Sequence, residues 1–330
     1  MESILKFGGY MLPMSIGHSL STPFDSVGFP VVRAIRLFKQ STKYQKSIIV
    51  GLVALLCLGI AFDRWLPYAL ISHYKRPVLA HPAILDQYGA QAESFTFTTR
   101  DRLKISGWFI PAKRPTTQTL ILLHSRGGTR QDTLEFGLPL WQAGFNLVMI
   151  DLRGHGTSEG EYFTFGYHEW QDVSGLLDYL ESRADGTATE VTLLGISAGG
   201  AVAIAAAAQD HRIDRLITIA AFADLDSTIQ AQVTWLPAFW RVRAIAQSEQ
   251  LGHFSVRETS PLSAIKRVRA PVLIVHPADD RYIPLENGKQ LFAAASSRKA
   301  FYVIAGATHE TMLRQESKAL RTRIIAFMSQ

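Results

Sequence analysis

Ser197 stands at the centre of Gly195-Ile196-Ser197-Ala198-Gly199, between an apolar run, Glu190 to Leu194, and an alanine-rich stretch, Ala201 to Gln209. A chain that turns from strand to helix this sharply has room only for small residues two places before and after the serine, and the turn lifts the hydroxyl above the sheet edge. Such a unit is a nucleophile elbow. Serine is a poor nucleophile at neutral pH, so the chemistry needs a histidine to take its proton and a carboxylate to orient that histidine. Downstream, Pro271 to Val275 reads as a buried strand leading into His276-Pro277-Ala278-Asp279-Asp280, and Ala300 to Ala305 as another, followed by Gly306-Ala307-Thr308-His309-Glu310. Asp280 and His309 are the expected acid and base.

The surrounding elements fit that geometry. Phe95 to Thr98 and Leu103 to Ile110 alternate apolar and polar residues about a polar turn, as a hairpin does. Leu120 to Leu123, Leu147 to Ile150, Val191 to Leu194 and Leu216 to Ala220 are continuously apolar, which indicates strands buried on both faces of a mostly parallel sheet covered by helices. The expected class is α/β.

In that order the motifs resemble the α/β-hydrolase superfamily, within it the single-domain esterase, lipase and serine aminopeptidase-like members, over residues 93–330. The resemblance rests on the elbow, on His124-Ser125-Arg126-Gly127-Gly128 after a strand, on Asp151-Leu152-Arg153-Gly154-His155-Gly156-Thr157-Ser158, and on Phe165-Gly166 with Glu169 and Asp172. It implies an oxyanion hole formed by the backbone N–H groups of Arg126 and Ala198. It also implies that Asp280, not Asp279, is the triad acid, since His276 and Pro284 bracket Asp280 at the family's spacing. Ser125 replaces the family's usual glycine, and a side chain there could displace the Arg126 amide. An insertion at 222–262, with Trp235, Phe239 and Trp240, is placed where members of the superfamily carry a cap; an ordinary packed helix is the competing reading.

Other polar residues read as structural. His124, His155 and His276 are expected to hold loops, because a triad uses one base; Glu169 and Asp172 are expected to complement a helix N-terminus. Arg126 could meet an anionic substrate or simply be solvated. The histidines show no H-E-x-x-H spacing and Cys57 is the single cysteine, so no metal and no cofactor is expected.

Met1 to Arg76 holds nine basic and three acidic residues, which accounts for the whole +6 net charge of the chain. The catalytic part thus offers no basic face for nucleic acid. Ile48 to Phe62 is uncharged and apolar, short for a bilayer span of about 20 residues unless flanking residues snorkel. The expected organisation is a basic segment 1–46, a transmembrane anchor 47–66, a linker 67–92 and the hydrolase domain. A cleaved signal peptide and a helix packed on the soluble domain are the alternatives. Arg33, Arg36, Lys39, Lys43 and Lys46 favour a cytoplasmic N-terminus, with the hydrolase domain outside, periplasmic or extracellular. Deleting residues 1–76 is expected to leave an active enzyme.

The expected function is a membrane-anchored serine hydrolase that cleaves carboxylic esters through an acyl-enzyme on Ser197. A serine peptidase or thioesterase on the same triad is the nearest alternative, and a non-catalytic scaffold used for binding is the alternative of another class. The expected partners are a small-molecule or lipid-like acyl substrate and membrane lipid.

Overall fold

The structure is a computed structural model that describes residues 42–72, 75–187, 189–315 and 317–330; most of the basic segment, with Arg33, Arg36 and Lys39, lies outside them. Among these residues β1 (Glu93–Thr98), β2 (Lys104–Ile110), β3 (Gln118–Leu123), β4 (Asn146–Ile150), β5 (Glu190–Ile196), β6 (Arg215–Ile219), β7 (Val272–Pro277) and β8 (Lys299–Ile304) form one sheet. Its order is β1-β2-β4-β3-β5-β6-β7-β8. The hairpin β1–β2 and the pair β2–β4 are antiparallel, and every later pair is parallel. This is the α/β-hydrolase fold.

The continuous apolar runs are buried on both faces, because alternate residues of a strand point to opposite sides. Ile121 and Leu123 join a core with Val148, Ile150, Leu193 and the alanines of the elbow helix, whereas Leu120 and Leu122 join Leu147, Met149, Leu194 and Ile217. Helices cover each side. The register sets Leu123 beside both Ile150 and Gly195, and Gly195 beside Thr218, so the carboxyl ends of the central strands lie level and their loops converge.

The helices are α1 (Lys43–Ile71), α2 (Ile84–Tyr88), α3 (Leu134–Gln142), α4 (Trp170–Ser182), α5 (Ala198–Gln209), α6 (Leu225–Gln232), α7 (Ala238–Gly252), α8 (Pro261–Ala264), α9 (Leu285–Ala294) and α10 (Ser317–Met328). By length and composition α1 can cross a membrane: its 29 residues make about 43 Å of helix.

The elements do not follow the expected bounds of 47–66 for an anchor and 67–92 for a linker. The division into two units falls between Ala61 and Phe62. Within the second, Leu66, Pro67 and Ile71 are buried, Ile71 in the main core, and Phe163 N–H donates to the Ile71 carbonyl at 2.7 Å. Leu85 of α2 is also fully buried. Deleting residues 1–76 would therefore open the core. Asp63 and Arg64 read in the sequence as the end of an apolar run, yet α1 continues past them, and Arg243 Nη2 donates to Asp63 Oδ2 at 2.9 Å and neutralises the carboxylate.

In the insertion, Leu236 and Ala244 form a small core with Leu66, against which Phe62, Leu70, Val233 and Trp240 pack. One side of α7 is thus covered. Trp235 and Phe239, by contrast, stay exposed.

Candidate active site

Ser197 follows β5 directly and adopts φ 55°, ψ −121°, a conformation open to L-residues only under strain. A Cβ on Gly195 would fall 2.1 Å from the Gly199 carbonyl oxygen, and one on Gly199 would fall 2.4 Å from that of His124. Both close neighbours are backbone atoms, so each position admits glycine alone.

Three expected residues, contributed by three separate loops, come together at this turn. The Ser197 hydroxyl donates to His309 Nε2 at 2.9 Å, and His309 Nδ1–H donates to Asp280 Oδ2 at 2.6 Å. Asp280 Oδ1 accepts the amides of Tyr282 and Ile283 at 2.9 and 2.8 Å, and its side chain is fully buried. Asp279 points elsewhere: it is exposed, and its own amide donates to Ala307 O. The His276 ring is buried beneath this loop and donates from Nε2 to Ile283 O at 2.8 Å, fixing the residue whose amide holds Asp280. Burial pushes its pKa down, so the ring is neutral.

The loop after β3 is held by two more neutral rings. His124 donates from Nδ1 to Ser125 O and accepts the Leu152 amide at Nε2, while His155 donates to Arg153 O and accepts the Gly127 amide. Burial pushes the pKa of His124 down as well. All three histidines therefore hold loops. Ser125 has no positive φ; glycine is demanded at Gly127, with φ 71°. A serine at 125 is accordingly accommodated without backbone strain. The Arg126 and Ala198 amides make no hydrogen bond among the described residues, which leaves both N–H groups available to a ligand.

Arg126 is exposed, as a solvated arginine would be, but its side chain is also held by α1. Its Nη2 donates to the carbonyls of Ala69 and Leu70 at 2.7 and 2.9 Å, and the guanidinium lies over the Phe165 ring. It thereby caps the last turn of α1, whose carbonyls have no partner within the helix. A contact across 57 residues leaves no local pattern, and the sequence carried no signal for it.

The Asp151–Ser158 turn is braced by buried charge. Asp151 pairs with Arg130 and accepts its amide and that of Thr157. Arg153 bridges Asp172 and Asp101. Glu169 accepts the amides of Thr164 and Gly166 at 2.8 and 2.6 Å. Glu169 and Asp172 are structural as expected, but through direct bonds in the core rather than through a helix dipole. Burial pushes the Asp172 carboxyl up to about 6 against the pull of Arg153. A cavity of about 560 Å³ opens beside His309, lined in part by Ser125, Ile196, Met312, Leu313 and Arg321.

The sequence profile of the serine aminopeptidase family S33 matches residues 114–261. An uncharacterized protein YfhR of Salmonella typhi is 26% identical over 279 residues, covering 80% of this chain and 87% of its own. An uncharacterized protein YqkD of Bacillus subtilis is 26% identical over 231 residues, covering 68% and 75%. Among solved structures, the Pyrococcus furiosus esterase Pf2001 superposes with a TM-score of 0.65 at 20% identity, covering 78% of this chain and 97% of the esterase. The Pyrococcus horikoshii acylaminoacyl peptidase superposes with a TM-score of 0.58 at 17% identity, covering 73% of this chain and 41% of the peptidase. These likenesses agree with the sheet order and the strand-to-helix turn in showing the α/β-hydrolase fold.

Proposed function

We propose that the protein is a serine hydrolase of carboxylic esters, anchored in a membrane by α1. The observation that carries the reading is the unbroken hydrogen-bond sequence Ser197–His309–Asp280 on a strained turn. In this reading His309 takes the Ser197 proton as the hydroxyl attacks the acyl carbon, then returns it to the leaving alcohol; water deacylates the enzyme by the same route. Asp280 holds the tautomer and stabilises the imidazolium. The Arg126 and Ala198 amides receive the oxyanion.

Ester rather than amide cleavage is favoured by the similarity to an esterase over almost its whole length, against less than half of the peptidase. For the anchor, the support is an uncovered apolar helix long enough to span a bilayer, and the basic residues before it favour a cytoplasmic N-terminus. The test is a fluorophosphonate probe on the membrane fraction, paired with p-nitrophenyl esters of increasing chain length and aminoacyl anilides. Wild-type protein is labelled and prefers esters, whereas Ser197→Ala is neither labelled nor active. Labelling of that variant would move the nucleophile away from Ser197, wild-type protein that is neither labelled nor active would return the chain to a binding scaffold, and preference for anilides would make it a peptidase.

A further inference from the structure

The insertion leaves large apolar side chains in the open. Trp235, Phe239 and Val242 are 70%, 64% and 69% exposed, and Trp65 of α1 is 59% exposed. Those on α1 and α7 are not scattered. Trp65 lies 6.0 Å from Phe62, Phe62 meets Trp240 edge-on at 5.3 Å, and Trp240 lies 5.2 Å from Phe239, so an aromatic string runs from α1 onto α7. Val242 stands one turn beyond Phe239, on the same face. The string is rigidly presented, because the Leu66–Leu236–Ala244 core and the Arg243–Asp63 pair lock α7 to α1.

We propose that this patch, Trp65, Trp235, Phe239 and Val242, is a seat for the lipid surface, with the insertion resting at the headgroup level of the bilayer that α1 enters. The proposal rests on the anchor reading above. Three observations favour lipid over a protein partner. Trp65 follows the last residue of the apolar run by three positions, about 5 Å of helix, so chain continuity brings the string to the end of the apolar span. Tryptophan is the residue enriched at that depth, apolar in body with one polar N–H. And no acidic residue falls between Asp226 and Glu249, whereas Arg241 does, a cation additional to the Arg243 that pairs with Asp63, and this balance suits anionic headgroups.

The single cysteine makes the test direct. In full-length protein carrying Cys57→Ala, Phe239→Cys or Val242→Cys is labelled with an environment-sensitive fluorophore, with exposed Ser296→Cys as the reference site. The protein is reconstituted into phosphatidylcholine–phosphatidylglycerol vesicles, with or without a nitroxide on the lipid headgroup. The expected result is at least threefold stronger lipid-borne quenching at 239 and 242 than at 296, with aqueous iodide showing the opposite order. Equal quenching at all three sites in protein that floats with the vesicles overturns the seat and leaves the anchor standing. Quenching at 239 that instead rises with the protein-to-lipid ratio through label–label contact assigns the patch to a second copy of the chain. Protein that does not float overturns both readings.

Discussion

The Ser197 turn and the helical insertion are specified in opposite ways. At Gly195–Gly199 backbone atoms approach so closely that one residue type fits, and each side chain of the Ser197–His309–Asp280 relay has a partner. Across 233–252 one side of α7 and the residues before it packs on the end of α1, while Trp235, Phe239 and Val242 stay largely exposed. Contacts inside the chain fix the turn, and the outer face of the insertion is left to the surroundings. Substitutions should therefore be severe in the first region and mild in the second, and each measurement below can break that contrast.

The largest effect is expected within the relay. Asp280→Asn should lower turnover by about 10⁴, since the imidazole is left in the wrong tautomer, while Asp279→Asn should cost less than about tenfold, roughly 1.4 kcal/mol of barrier. Steady-state kinetics on folded variants decides it, and the reverse pattern moves the triad acid to Asp279. Next comes Gly199→Ala, whose Cβ must displace a backbone oxygen. It should destabilise the fold by about 4 kcal/mol or more, against within about 0.5 kcal/mol for Phe239→Ser. Urea unfolding of both variants in the 62–330 protein tests the contrast directly; equal midpoints would erase it.

Cutting the chain after Ala61 or after Arg76 probes where the two regions join. The shorter cut keeps Leu66 and Ile71 in place. The longer one removes both from the core, at about 1.5–3 kcal/mol each, and strips Arg126 of the carbonyls it caps. The 62–330 protein should be active and the 77–330 protein unstable with depressed turnover; equal activity of the two would show that the last turns of α1 are dispensable.

The smallest effect is on pH. Burial holds the folded-state pKa of His124 and His276 below the ordinary value, whereas α6 and α7 carry no histidine. The unfolded chain therefore takes up protons first. The stability this contributes is complete above about pH 6.5 and is lost as pH falls, by at most about 1.4 kcal/mol per unit per histidine. Unfolding midpoints between pH 8 and pH 5 measure it, and His276→Gln should flatten the slope if that variant folds.

What could be read from the sequence follows the same division. Asp280, singled out by the resemblance, is the acid whose side chain reaches His309, and the strands and the elbow were legible because short-range packing permits few residue types at fixed spacing. The role of Arg126 was not, because its partners lie on α1, far away in the chain. Nor was the continuation of α1 past Leu66 to Ile71, whose burial in the main core depends on residues far along the chain. The motif prefers glycine where Ser125 stands, yet the backbone places its positive φ two residues later, at Gly127.

Ser197 itself is a thermodynamic liability. A non-glycine residue at φ 55°, ψ −121° holds about 1–3 kcal/mol of strain, and glycine would shed it. The most heat-resistant version of this chain would accordingly carry glycine at position 197, where the melting temperature would rise as the hydroxyl disappeared. Durability and reactivity are opposed at a single backbone angle, and a screen that rewards thermal survival alone would drive the protein towards an inert copy of itself.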